Sequence, residues 1–142
     1  MMNEHLILKI HFAATLYMLG LICLIQAIHY PLFSLVGEKE FVNYHKQHIR
    51  LTSFVIAGPM LIELFSAIAL FYVNPALRNI SFFSGSFLLL IIIWAVTFLI
   101  SIPQHDILAT GFEHKAWSTL TKTNWIRTVS WGLRSVIIFQ ML

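Results

Sequence analysis

Hydrophobic positions along this chain gather in long unbroken runs, without the alternation of a half-buried strand or the one-sided spacing of a water-facing helix. Four runs reach the roughly 20 residues that a bilayer-crossing helix needs: about 6–28, 49–73, 82–102 and 123–142. Helix breakers mark their edges. His29-Tyr30-Pro31 closes the first run, Asn74-Pro75 the second and Pro103 the third. The first run lacks a basic leader and a small-x-small cleavage site, so it reads as a span and not as a signal peptide. Backbone groups that cannot reach water must bond to one another, so each run is expected to be a helix.

The stretch 74–81 is a short turn that makes the second and third helices antiparallel neighbours. The stretches 30–48 and 104–122 are longer. Each is expected to carry a short interfacial helix, with Phe41, Tyr44, Phe112 and Trp117 at headgroup level. The predicted fold is all-α: a single-domain integral membrane bundle of four helices running up, down, up and down.

Composition sharpens this picture. Of 142 residues, 58% are hydrophobic and only 11% charged, where a soluble domain carries about a quarter. Too few charges remain to cover a water-facing surface, which excludes a soluble enzyme, a disordered tail and a disulfide scaffold. The net charge of +3 is nine Lys and Arg less six Asp and Glu, and the scattered basic residues form no basic stripe, so nucleic acid is excluded as a partner. Cys23, the single cysteine, cannot form an internal disulfide and is expected as a small buried apolar group.

Lys39, Lys46, Arg50, Lys115, Lys122 and Arg127 lie in or beside the long loops, against Lys9 and Arg78 on the other side. The bias puts the long loops in the cytoplasm and both termini outside, in a membrane of the bacterial inner type. Gly85 and Ser86 are expected as exposed small residues at which a homo-oligomer could pack.

Polar residues inside a membrane protein are costly and therefore informative. Here they form two layers. Up-and-down topology brings His29, His45, His48 and His105 to one rim, beside Asn124 and Arg127 at the start of the fourth span. Imidazole is the commonest metal ligand near neutral pH, and three or four of them suit iron, copper or zinc. The deeper layer holds His11, Glu63 and Arg134. Glu63 lies about 22 Å beyond His48 along a continuous helix, too far to share one metal. It is expected to pair with Arg134 or His11, either as a clamp on the bundle or as a proton relay. Pro59, beside Gly58, would open space near it. Trp94, Trp125 and Trp131 are candidates to line a cavity for a flat aromatic or quinone-like ligand. No nucleophilic constellation and no phosphate loop are present.

The second half resembles a known family. The stretch from Trp94 and Thr97 through Pro103, His105 and Leu108, followed by Leu120, Asn124, Trp125, Arg127 and Thr128, is similar to the anthrone oxygenase-like (DUF1772) family of small four-helix membrane proteins. In that family a Pro-x-Asn/His-x-x-Leu motif ends the third span, and an Asn-x-x-Arg-like motif opens the fourth. The resemblance covers about a third of the chain and implies a membrane protein, some of whose fungal relatives act as oxygenases on polycyclic aromatic anthrones while most members have no assigned activity. A fainter likeness, in Leu8-Lys9-Ile10-His11 and Gly20, is to small four-helix protoporphyrinogen oxidases that carry haem on an N-terminal histidine.

The expected function is a membrane-embedded oxidoreductase of oxygenase type acting on a lipophilic small molecule from the bilayer. His29, His45, His48 and His105 would hold a transition metal. Asn124 and Arg127 would orient substrate and stabilise developing charge, and Glu63 would relay protons. The alternatives are a haem- or quinone-binding electron carrier using two histidines axially, a proton-coupled transport subunit using His11, Glu63 and Arg134, and a non-catalytic accessory protein; His11 and Arg134 are the candidate cofactor-binding residues.

Overall fold

The computed structural model describes residues 4–74 and 81–142. Pro75 and Arg78, and with them the expected turn after Asn74, lie outside the described residues. The described chain is all-α, with no strands, and forms four helices. α1 runs Glu4–Phe33 and α2 runs Glu38–Val73. α3 begins with Ser81–Val96 and continues to Leu108, and α4 spans His114–Phe139. The rim ends of α1 and α3 meet the N-terminal ends of α2 and α4. At the opposite end the Asn74 amide donates to Glu4 Oε1. Successive helices are therefore antiparallel.

Three helices are long and apolar enough to cross a membrane: α1 (30 residues), α2 (36 residues) and Phe83–Leu108 of α3 (26 residues). The expected fourth span does not reach that apolarity among the described residues. Its inner face explains why: Asn124, Arg127, Thr128, Ser130, Arg134 and Ser135 all point into the bundle and are buried. Its outer face is apolar, with Trp125, Val129, Leu133, Val136 and Phe139 each at least half exposed. Such a helix is polar inward and oily outward, the reverse of a water-soluble one.

The helices also run past the ends marked in the sequence. Pro31 and Pro103 do not close α1 and α3. A proline ring clashes with the carbonyl four residues back and supplies no N–H. Here Ala27 and Leu99 are those residues, and each sits in a π-helical turn, Ile25–His29 and Thr97–Ser101. The wider turn absorbs the clash, and α-helix resumes through Tyr30–Phe33 and Ile102–Leu108. The two long loops consequently shrink to the segments 34–37 and 109–113, with no separate interfacial helices. α2 starts at Gly37, which precedes Glu38 and Glu40 in a first turn where acidic side chains suit the helix dipole. α4 starts on Glu113, whose carboxylate accepts the Ala116 N–H at 2.8 Å.

The added turns replace the expected headgroup anchors with a packed cap. Phe33, fully buried, meets the rings of Phe41, Tyr44, His45 and His48 edge-on at 6.2, 5.9, 5.2 and 4.9 Å. Phe41 is buried too, and Tyr44, Phe112 and Trp117 pack against the same cluster. The Trp117 indole donates to the Tyr30 carbonyl at 2.7 Å, satisfying an acceptor near the end of α1. A second apolar cluster of Ile7, Leu8, Leu70, Phe83 and Ile138 closes the opposite end. Two expectations fail on direction: Cys23 is exposed, and Ser86 is buried at 3% exposure. Ser86 therefore offers no outward packing surface.

Helix packing is uneven. α1 lies against α2 and α4, and α4 lies against α3. α2 and α3 approach mainly near their ends, where the rings of His45 and His105 are 5.2 Å apart and those of Phe71 and Phe87 6.1 Å. Their middles leave a cleft.

Truncating Phe33 to Ala should lower unfolding free energy by about 3–5 kcal/mol, the usual cost of emptying a fully enclosed phenylalanine site. Denaturant titration of the detergent-solubilised protein measures it, and a loss below about 1 kcal/mol would show that the cap does not support the fold.

Candidate functional site

The deep layer is a closed network. Glu63 on α2 is fully buried, and all its capacity is used. Its Oε1 accepts from Thr15 Oγ1 at 2.7 Å and from Arg134 Nε and Nη2 at 3.2 and 3.0 Å. Its Oε2 accepts from the Trp131 indole at 3.0 Å. Arg134 also donates to the Ser86 carbonyl on α3 and to His11 Nε2 at 3.3 Å. Because an arginine can only donate, His11 Nε2 is the acceptor and Nδ1 carries the hydrogen. That Nδ1–H meets Ser66 Oγ at 2.7 Å, and Ser66 in turn donates to the Ile62 carbonyl at 2.6 Å.

One ion pair thus ties all four helices together. Of the two expected partners for Glu63, Arg134 forms the salt bridge, and His11 completes it from outside. His11 and Arg134 have their polar atoms turned to this network, and neither lines the cavity described below.

The rim layer is different in kind. The structure brings together all four predicted histidines, from α1, α2 and α3. Ring centroids separate His29 and His48 by 5.5 Å, His45 and His105 by 5.2 Å, and His48 and His105 by 6.1 Å. Their rings stack or tilt past one another without aiming at one point. Among the described residues no group of three or more His, Cys, Asp or Glu side chains is placed to hold a metal ion. Phe33, wedged edge-on against His45 and His48, fixes those two rings in this arrangement. As placed, the imidazoles do not fit a metal.

Their hydrogen bonds define a direction. His45 Nε2 lies 3.2 Å from the His105 carbonyl, which can only accept, so Nε2 carries the hydrogen. The same N–H faces His105 Nδ1 at 3.4 Å. His105 then carries its hydrogen on Nε2, which donates to the Tyr30 hydroxyl oxygen at 3.3 Å. His48 Nδ1 is 3.4 Å from Thr52 Oγ1.

Beside these rings lies a cavity of 360 Å³ in the α2–α3 cleft. Its rim end is polar, formed by Tyr30, His48, His105, Asp106, Ser101 and Arg127. Its other end is apolar, with Ile56, Met60, Leu61, Trp94 and Phe98. Both π-helical turns border it, through Ile25 on one side and Thr97, Phe98 and Ser101 on the other. Pro59 itself does not line the cavity, although its neighbours Ala57, Met60 and Leu61 are part of the α2 wall. An apolar groove that shares Trp94 and Phe98 runs on past Leu64, Phe87 and Leu90.

The predicted catalytic residues separate. Arg127 is on the cavity wall. Asn124 is fully buried and donates to Gln26 Oε1 at 2.8 Å, away from the cavity lining. Glu63 belongs to the clamp. Of the three tryptophans expected at a cavity, Trp94 lines it, Trp131 serves Glu63, and Trp125 is 56% exposed. Tyr30 was visible in the sequence only as part of a helix stop. Its aromatic body and polar tip next to a proline were the available signal.

Compared with known protein families, characterised proteins and solved structures, the chain matches none.

Glu63→Leu and Arg134→Met should each cost about 3–5 kcal/mol, because each leaves the other group buried without its partner. The double replacement Glu63→Leu with Arg134→Met should regain most of that loss. A double-mutant cycle by unfolding in detergent checks it; additive costs would show that the two groups do not act as a pair.

Proposed function

We propose that this protein resides in a lipid bilayer and binds a lipophilic small molecule that enters sideways from the lipid into the α2–α3 cleft. The membrane reading is supported by three helices of spanning length and by the polar-inward, apolar-outward sense of α4. One observation carries the binding reading: the 360 Å³ cavity is apolar toward the middle of the bundle and polar toward the rim. Ligand sites are commonly concave, mostly apolar and equipped with a few convergent polar groups. Leu61, Phe98 and Ile102, each more than 40% exposed, flank the mouth, so a guest passes from lipid to cavity over apolar side chains.

An engineered cavity of about 150 Å³ accepts benzene. The space here suits a molecule with the bulk of two fused rings. Its polar head lies toward Tyr30, His105 and Arg127, and its rings against Met60, Trp94 and Phe98.

A second reading keeps the oxidoreductase chemistry implied by the family resemblance. It is favoured by His48 and His105 lying on the wall of the same cavity. Metal binding there requires the imidazoles to turn out of their present stack.

Calorimetric titration of the detergent-purified chain with a two-ring compound such as methyl 2-naphthoate tests the binding reading. Ala57→Trp, which fills the cavity from the α2 wall, should weaken binding by about tenfold or more, the worth of blocking a few buried contacts. Equal binding by wild type and variant would remove the cleft as the site. For the second reading, elemental analysis of wild type beside His48→Ala/His105→Ala decides. Stoichiometric metal lost in the variant supports it, and metal in neither sample refutes it.

A further inference from the structure

The fourth helix carries two buried arginines, and the bundle treats them in opposite ways. Arg134 has a carboxylate, a backbone carbonyl and an imidazole around it. Arg127, two turns earlier and 5% exposed, has none of these. Its Nη1 donates to Ser101 Oγ at 3.2 Å, and its guanidinium carbon lies 5.4 Å from the centre of the Trp131 ring. Its Nε has no partner, and among the described residues the one ion pair is Arg134–Glu63. Arg127 is thus a buried cation on a cavity wall without an anion.

Two further donors share that cavity. The Trp94 indole N–H is buried and has no acceptor. The Tyr30 oxygen faces two donors, His105 Nε2 and the Arg127 guanidinium, which leaves the phenolic hydrogen itself to be donated. The cavity thus holds three donors, at Arg127, Tyr30 and Trp94, and a single acidic side chain in its lining. Water could take up the loose hydrogen bonds but could not neutralise the guanidinium, and an uncompensated buried charge is among the costliest features a fold can hold. Asp106, the acidic residue on the cavity wall, is exposed at the rim and makes no ion pair with Arg127.

Resting on the reading of the cleft as a ligand site, we infer that its ligand is a lipophilic anion, a carboxylate on a compact apolar body, whose head takes the place opposite Arg127 that Glu63 takes opposite Arg134. The planar guanidinium offers a fork of donors matched to a carboxylate. The carboxylate oxygens receive Arg127 and the Tyr30 hydroxyl, and the apolar body lies along Met60 and Phe98 below.

The test compares 2-naphthoic acid with its methyl ester, at neutral pH, on the full-length chain in detergent. The acid should bind about ten- to hundredfold more tightly than the ester, the range expected of charge-assisted hydrogen bonds. That preference should vanish in Arg127→Gln and persist in part in Arg127→Lys. Equal affinity for acid and ester, with Ala57→Trp still weakening both, overturns the anion and leaves the cleft as a ligand site. Binding of neither compound overturns both.

A stability readout separates a ligand contact from a structural one. Without ligand, Arg127→Gln should melt at or above the wild-type temperature, because it removes an uncompensated charge, whereas Arg134→Gln melts lower. A clear drop for ligand-free Arg127→Gln, or for Asp106→Asn, would mean that the protein supplies its own counter-charge and would overturn the inference. Mixed micelles containing phosphatidylglycerol distinguish the source of the anion. Displacement of naphthoate by that lipid at lower mole fraction would overturn the free carboxylate in favour of a lipid phosphate.

Discussion

The contact between Arg134 and Glu63 is the constraint around which the bundle is organised. A charge pair far from solvent is stable only when its remaining donors and acceptors are occupied. Meeting that condition requires a side chain or carbonyl from every helix: His11 and Thr15 from α1, Ser66 from α2, Ser86 from α3 and Trp131 from α4. In the bilayer proposed for it, apolar packing between the helices would specify rotation and depth weakly, because lipid tails solvate Leu and Ile as well as a neighbouring helix does. A directional network with one acceptable geometry fixes both. The two apolar clusters above and below then fill space whose shape is already set.

That fixed middle lets the rim be irregular. The prolines at 31 and 103 each force a π-helical turn, and each turn adds a residue to its helix without breaking it. Beyond the turns, Tyr30 and Phe33 on α1 and His105 on α3 face the cavity and the aromatic cap. The sequence around both prolines has the same order: a five-residue π-turn, one residue, then proline. Placed where a regular helix would have ended, these turns carry the side chains that give the cavity its polar end.

Much of this was readable from the chain itself. Long apolar runs located the four helices, and the cost of mid-membrane charge required a partner for Glu63, with depth alone narrowing the choice to His11 and Arg134. Convergence of His29, His45, His48 and His105 followed from topology. Orientation of those rings did not, because it depends on Phe33, which only enters the cluster once α1 continues through Pro31. Helix ends were misplaced for a related reason. Hydropathy reports where lipid would end, and a helix with its own hydrogen bonds need not end there, as Glu38–Ile49 of α2 illustrates. Asn124 and Arg127 were both expected to orient substrate, yet one turn of helix is enough to send the first to Gln26 and the second to the cavity.

The uneven packing of the helices has a mechanical meaning. With α1 against α4 as a spine, and α2 and α3 each attached to one side of it, the bundle is an open ring with a single seam. Every long-range polar bond of the clamp crosses the spine side or passes through Arg134. The middle of the seam is held by oily side chains alone. Among the described residues no direct hydrogen bond joins α2 to α3 there, so the soft direction of the protein is the one that opens the cleft to its surroundings. Elasticity and access are the same property in this fold, set by the pair of helices whose direct polar tie among the described residues, His45 to His105, lies at the rim.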